Sequence, residues 1–229
     1  MNSPVSQRLQ GKRILLTQAS EFMGPVLQRV LREHGADVIA DERPLLDPAL
    51  PQQLVAAAGQ VDVLIANLAI PAPRTPATET TDAEWDDAFA HLVSPLPRLA
   101  RAVLPQMLAR QAGKILVMGS ASALRGQKNL ATYGAARGAQ LGWVKNLGVE
   151  VAGSNVQVNA IAQNFVDNPT YFPPSVQANP AFQERLRREV PAGRLGTPEE
   201  DAMLVVFLCS DECNFLVGQA IPFSGGWAV

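Results

Sequence analysis

Short apolar runs alternate with longer stretches of helical period along the chain. Lys12-Arg-Ile-Leu-Leu-Thr17 predicts a first buried strand, and Gly24 to His34 sets Val26, Leu27, Val30 and Leu31 on one helical stripe. Gly35 stops that helix and Ala36 to Asp41 predicts a second strand. Residues 42–60 are rich in proline and alanine and predict a loop and a short helix, and Val61 to Asn67 predicts a third strand. Pro71 to Pro76 is a loop, and Thr81-Asp-Ala-Glu84 has the form of a capping box opening a helix through Trp85 and Phe89 to about Val93. A further helix covers 96–111, with a kink expected at Pro105.

The second half repeats the alternation. Lys114 to Gly119 is apolar and β-rich, Tyr133 to about Val151 predicts a buried helix, and Val156 to Ala162 predicts the next strand. Phe182 to Glu189 is charged at most positions and predicts a solvated helix. Thr197, Pro198 and Glu200 suit the N-cap, N1 and N3 positions of a helix that buries Met203, Val206, Phe207 and Leu208. Phe215 to Phe223 predicts a final strand. Strands alternating with helices predict an α/β fold with a parallel sheet flanked by helices, one domain over residues 1–229.

Composition narrows the function classes. A chain of 229 residues with 47% hydrophobic content can bury one sizeable core, and a net charge of −2 supplies no electrostatic reason to bind nucleic acid. No apolar run approaches the roughly 20 residues of a membrane span, and the polar lead-in over residues 1–10 lacks the apolar core of a secretory signal, so a cytoplasmic protein is expected. Cys209 and Cys213, with only His34 and His91 elsewhere, make neither a disulfide framework nor a metal site, and both thiols are expected in or near the core. His91 lies among apolar residues and reads as structural.

The candidate chemistry centres on Ser120, Tyr133 and Arg137. Ser120 ends a predicted strand, at the sheet edge where open α/β folds bind ligands. Tyr133 and Arg137 are four apart and share a helix face. A guanidinium is positive at every working pH and favours the phenolate of a neighbouring tyrosine, and a serine hydroxyl can hold a substrate oxygen for that base. Taken alone, such a pair is also a surface contact and such a serine a cap. The loop after the first strand, Thr17-Gln-Ala-Ser-Glu-Phe-Met-Gly24, has one glycine rather than the three of a dinucleotide fingerprint, and it carries Glu21 and Phe22 where a pyrophosphate would lie.

Strand, serine, twelve residues and tyrosine in a small-residue helix resemble the short-chain dehydrogenase/reductase superfamily. The resemblance implies a Rossmann-like doubly wound sheet, a structural role for Asn67 in tying neighbouring strands, and a closing strand before Ser224-Gly-Gly. That superfamily carries Tyr-x-x-x-Lys, whereas this chain has Tyr133-Gly-Ala-Ala-Arg137. Ser-x12-Tyr-x3-Arg is similar to the halohydrin dehalogenases, as is the placing of Thr17, Phe22 and Gly24 in the first loop. This second resemblance implies no nicotinamide and no metal, with a haloalcohol or epoxide and a halide ion as small-molecule partners. It further implies catalytic Ser120, Tyr133 and Arg137, and a halide and substrate pocket from Thr17, Phe22 and the loop residues Gln163, Asn164, Phe165 and Val166. Tyr171 and Phe172 would shape that pocket, and a homotetramer with neither nucleic-acid nor membrane partners is expected.

Two other functions stay open at this point. Asp41, at the end of the second strand, stands where a dinucleotide-binding protein keeps a ribose carboxylate, which favours an NAD(P)-dependent oxidoreductase with arginine in place of lysine. A ligand-sensing relative without chemistry is the third, and an intact Ser120, Tyr133 and Arg137 set argues against it. Leu68 is apolar where some relatives place a carboxylate against the arginine, so the surroundings of Arg137 are open too.

Overall fold

The computed structural model describes residues 7–229, so the first six residues of the expected polar lead-in lie outside it. Six strands form one parallel sheet in the order β2-β1-β3-β4-β5-β6. They are β1 (Arg13–Leu16), β2 (Asp37–Ala40), β3 (Val63–Asn67), β4 (Gly113–Ser120), β5 (Val156–Gln163) and β6 (Ala220–Phe223). The order reverses between β1 and β3, which opens a crevice at the carboxyl ends of the strands.

Alternating strand residues feed two cores. Leu15, Leu64, Ile115 and Val117 pack beneath α2 (Leu50–Ala58), α3 (Asp82–Leu92), α4 (Pro95–Arg110) and α5 (Ala131–Val151). Ile14, Leu16, Ile65, Leu116 and Met118 pack beneath α1 (Gly24–Glu33) and α8 (Pro198–Cys209). Both faces of the sheet are therefore covered, the condition under which an all-parallel sheet is found. Short α6 (Pro174–Gln177) and α7 (Pro180–Glu189) stand over the carboxyl edge, where Phe165, Leu186 and Trp227 make a third, smaller cluster.

Local chemistry explains most boundaries. Thr197 Oγ1 accepts from the Glu200 N–H, and the Glu200 carboxylate accepts from the Thr197 N–H, a complete capping box for α8. At α3 only half of that box forms: Thr81 caps the Glu84 N–H, but the Glu84 carboxylate accepts from the Thr75 hydroxyl instead (2.6 Å). Pro105 lies inside α4, which continues through it to Arg110. The small residues of α5 have a packing reason, since a Cβ at Gly148 would collide with the backbone of Gly218.

Several expectations need correction. Leu9 is fully buried, its N–H donating to the His34 carbonyl (2.9 Å), so the end of the lead-in joins the core. The last strand is shorter than the apolar run suggested. Phe215 is fully exposed, and pairing with β5 begins only where Gly218, at a φ of 66°, turns the chain in and donates to the Val158 carbonyl. On α8 the core is met by Ala202, Val205, Val206 and Leu208, while Met203 is exposed and Phe207 half-buried. As expected, Cys209 and Cys213 are buried free thiols; burial pushes Cys209 up to about 12 and raises Cys213 as well, so neither is a reactive thiolate. Among the described residues no helix is long and apolar enough to cross a membrane, and no group of three or more metal-ligating side chains gathers.

Candidate active site

Beyond the carboxyl ends of β3, β4 and β5 lies a cavity of about 290 Å³, the size class of small-molecule sites. Ser120, Tyr133 and Arg137 all line it, together with Phe22 and the loop that follows β5. Ser120 leaves the end of β4, and its Oγ accepts from the Ser122 N–H (3.2 Å) and shares a hydrogen bond with the Ser122 hydroxyl (2.8 Å). A hydroxyl has one proton and two lone pairs, so Ser120 and Ser122 together keep capacity for a substrate oxygen. Ser122 carried no signal in the sequence beyond its spacing of two from Ser120.

Tyr133 and Arg137 sit one turn apart near the start of α5, both buried. The guanidinium carbon of Arg137 lies 5.1 Å from the centre of the Tyr133 ring. Arg137 Nη1 donates to the Met118 carbonyl (3.1 Å) and to Gln140 Oε1 (3.0 Å), and Gln140 in turn donates to the Leu92 carbonyl (2.7 Å). Among the described residues its Nε has no partner, and no carboxylate bonds it. This answers the question that Leu68 raised: the buried cation is held by neutral acceptors alone. Its charge is left for whatever anion the cavity holds.

The far wall is aromatic. Tyr171 donates to the Ile70 carbonyl and accepts from the Ala72 N–H, both at 3.1 Å, and so straps the loop after β5 to the loop after β3. Burial first, and then the neighbouring Tyr133 phenol, push Tyr171 well above the ordinary tyrosine range, so it stays protonated. Its ring meets Phe22 at 5.0 Å, and Phe172 continues the wall to Phe165 (6.0 Å) and Phe182 (5.6 Å). Trp227 backs Phe165 at 5.9 Å. The sequence reading missed Phe182 and Trp227. Helix α7 is not wholly solvated: Phe182 and Arg185, three apart, face the cavity, and Leu186 is buried beneath.

Two of these aromatics have a left-handed backbone, Phe22 at a φ of 47° and Phe165 at 55°. Bulky residues rarely adopt this conformation, and it persists where surrounding contacts over-determine it. At Phe165 those contacts are visible. Its N–H donates to Asn164 Oδ1 (2.9 Å), its carbonyl accepts from Gly196 (2.9 Å), and the Asn164 N–H donates to the Phe223 carbonyl (3.0 Å). Of the expected halide loop, the N–H groups of Asn164 and Phe165 are thus engaged within the protein. Gln163, Asn164, Phe165, Val166, Tyr171 and Phe172 all line the cavity. Thr17 does not: it is fully buried, and its hydroxyl faces the Ile65 and Asn67 carbonyls (3.5 and 3.4 Å).

The loop between β1 and α1 is a poor seat for a dinucleotide. The N–H groups of Ala19, Glu21 and Gly24 donate to the carbonyls of Asp41, Gln18 and Glu21, so they are spent inside the protein. Asn67, expected to tie strands, instead pins this loop by donating to the Gln18 and Glu21 carbonyls, each at 3.0 Å. Gly24 is required for contact with the loop itself, because a Cβ there would collide with the Ala19 carbonyl. Phe22 projects into the cavity wall. Asp41 accepts from the Arg43 guanidinium (2.7 and 2.9 Å) and from the Arg43 N–H (3.0 Å), which occupies the carboxylate a ribose would need.

Comparison with known proteins agrees with this architecture. The family model described as enoyl-(acyl carrier protein) reductase matches residues 8–228. The 3-oxoacyl-[acyl-carrier-protein] reductase FabG of Salmonella typhimurium is 30% identical over 242 residues, covering 95% of this chain and 97% of that one. Among solved structures, one titled a dehalogenation enzyme superposes with a TM-score of 0.90 at 33% identity, covering 96% of this chain and all (100%) of the other. A halohydrin dehalogenase bound to ethyl (2S)-oxiran-2-ylacetate gives a TM-score of 0.88 at 28% identity, covering 95% and 98%. With the reversed strand order, the serine at the end of β4 and the tyrosine in the first turn of the buried helix, these matches make the chain a member of the short-chain dehydrogenase/reductase superfamily.

Proposed function

We propose that the chain is a cofactor-independent halohydrin dehalogenase, converting vicinal haloalcohols to epoxides with release of halide and a proton. The observation that carries this reading is the pairing of Tyr133 with a buried arginine that has only neutral partners, in a cavity whose wall includes Phe22. The likeness to the two dehalogenase structures supports it, as does a first loop in which the amides of Ala19, Glu21 and Gly24 are already spent.

In the proposed reaction Ser120 and Tyr133 hold the substrate hydroxyl. Tyr133, as phenolate, takes its proton, and the Arg137 charge 5.1 Å from the ring offsets the negative charge on the phenol oxygen. The oxygen then attacks the adjacent carbon from behind, the new C–O bond forms as the carbon–halogen bond breaks, and the halide leaves with the bonding pair. Nucleophile and leaving group sit on neighbouring carbons, so no covalent enzyme intermediate is needed. The halide departs toward the loop after β5 and Phe22, where aromatic ring edges suit a weakly hydrated anion. Tyr133 passes its proton on to water. In reverse, halide or a small anion such as azide, cyanide or nitrite opens an epoxide, with Tyr133 returning the proton.

A second reading, an NAD(P)-dependent oxidoreductase, is favoured by the sequence identity to reductases. The engaged Asp41 and the spent loop amides weigh against it. One assay separates the two: halide release from a short bromo- or chloro-alcohol with no nucleotide present. The expected result is release that disappears in Tyr133→Phe. Absence of release, together with binding of NAD(H) or NADP(H) by calorimetry, would overturn the dehalogenase reading.

A further inference from the structure

Asp201 stands where the fold supplies almost nothing to hold a charge. It lies in the first turn of α8, is 0% exposed, and its carboxyl group has one hydrogen bond: Gln163 Nε2 donates to its Oδ2 (2.5 Å). Its Oδ1 has no partner. The charged groups of the elements around it are engaged elsewhere. On α1, Arg29 bonds Glu33 and Glu199, and Arg32 bonds Gln28 and the Val38 carbonyl. Arg194 bonds Glu200, Asp167 accepts from Gln177, and Lys114, at the opposite end of β4, donates to the Cys213 carbonyl and Asn214. Burial therefore dominates and raises the carboxyl to about 7, with the Gln163 bond pulling the other way.

Gln163 connects this carboxyl to the site. It closes β5, is half-buried, and lines the cavity. A primary amide has a donor end and an acceptor end. Ionised Asp201 can only accept, so it holds the NH2 group and leaves Oε1 as the atom the side chain can present to the cavity. Protonated Asp201 can donate to Oε1 and leaves the NH2 group for the cavity.

We infer that Asp201 is a positioning residue that sets which end of the Gln163 amide faces the cavity, so that anion binding there tightens when Asp201 takes up a proton. The inference rests on the reading that this cavity accepts a small anion. Removing a negative charge from behind the site acts in the same direction.

The test is bromide binding to the intact protein between about pH 5.5 and 8.5, either side of the Asp201 titration. Binding is followed by tryptophan fluorescence, since Trp227 packs on Phe165 of the cavity wall. Wild type, Asp201→Asn and Asp201→Leu are compared; the leucine variant serves if asparagine folds poorly in this site. Wild-type affinity is expected to weaken on the order of tenfold across the range, the worth of one hydrogen bond to a charged group. Both variants are expected to be flat. A variant that keeps the wild-type slope, or a wild type that binds bromide equally at every pH, overturns the role of Asp201 and leaves the dehalogenase reading standing. Failure to bind bromide at any pH overturns both.

Discussion

The Arg137 guanidinium faces the Tyr133 ring at 5.1 Å, and both of its hydrogen bonds go to neutral oxygens, those of Met118 and Gln140. A buried cation without a carboxylate is costly unless an anion arrives, and in the proposed reaction that anion is the Tyr133 phenolate. Arg137→Met keeps an unbranched apolar stem and removes the charge. We expect halide release to fall by roughly a hundredfold or more, the scale of a lost acid–base contribution, with the melting temperature near that of wild type. Steady-state halide release and a thermal melt check both halves. Unchanged turnover in a folded variant would remove Arg137 from the mechanism.

Phe22 combines a left-handed backbone at 47° with a ring contact to Tyr171 at 5.0 Å. Phe22→Gly relieves the first and forfeits the second, so the two stability effects oppose each other. The expected outcome is a small change in melting temperature, weaker substrate and halide binding, and no gain of dinucleotide affinity. One more glycine does not free the amides of Ala19, Glu21 and Gly24, which donate within the protein. Calorimetry with NADH and NADPH tests the last point; micromolar binding would contradict it.

Tyr171 joins two loops through a single phenol oxygen. In Tyr171→Phe the Ile70 carbonyl and the Ala72 N–H lose that partner, at a cost of about 1–3 kcal/mol where water cannot replace it. We expect a lower midpoint in chemical denaturation and slower turnover, because the wall opposite Tyr133 loosens. A denaturation midpoint equal to that of wild type would show that the strap contributes nothing.

Asp201 makes stability depend on pH in the direction opposite to a salt-bridged carboxylate. Its folded-state value of about 7 exceeds the ordinary 3.8, so the native state binds the proton more tightly than the unfolded chain. Its favourable contribution is complete below the ordinary value and is lost as pH rises through about 7. Asp201→Leu should therefore gain stability relative to wild type on going from about pH 5 to pH 8, by up to ~3 kcal/mol. Urea denaturation at the two pH values reads this difference. An equal difference at both would mean that Asp201 does not change its charge between them.

How much of the site was legible in the chain varied with the kind of signal. Ser120, Tyr133 and Arg137 are tied to a strand end and a helix turn, and their spacing alone brings them to one cavity. Gln163 closes β5 and Asn164 to Val166 follow it, so they were traceable only through the family resemblance and less firmly than the triad. Phe182 was hidden because its helix carries charges at most positions, though the pair Phe182 and Leu186, four apart, was the available hint. Trp227 lies in a short glycine-flanked tail without periodicity, and only packing against Phe165 gives it a place. Asp201 follows two glutamates in the first turn of a helix, where acids are ordinarily solvated and favourable to the helix dipole. The one partner of its carboxyl group, Gln163, stands 38 residues earlier.

The alternation of strands and helices, the two-sided burial of the sheet, and the Tyr133 and Arg137 pair were readable along the chain, because each follows from a local period or a fixed spacing. The folded arrangement alone sets what surrounds those residues. Thr17 turned into the sheet rather than the cavity, Asn67 reached the first loop rather than a neighbouring strand, and Asp41 was taken by Arg43. It also left Arg137 with neutral partners and Asp201 with one. Charge compensation and hydrogen-bond satisfaction depend on which groups from distant segments meet out of water, and no local pattern encodes that meeting.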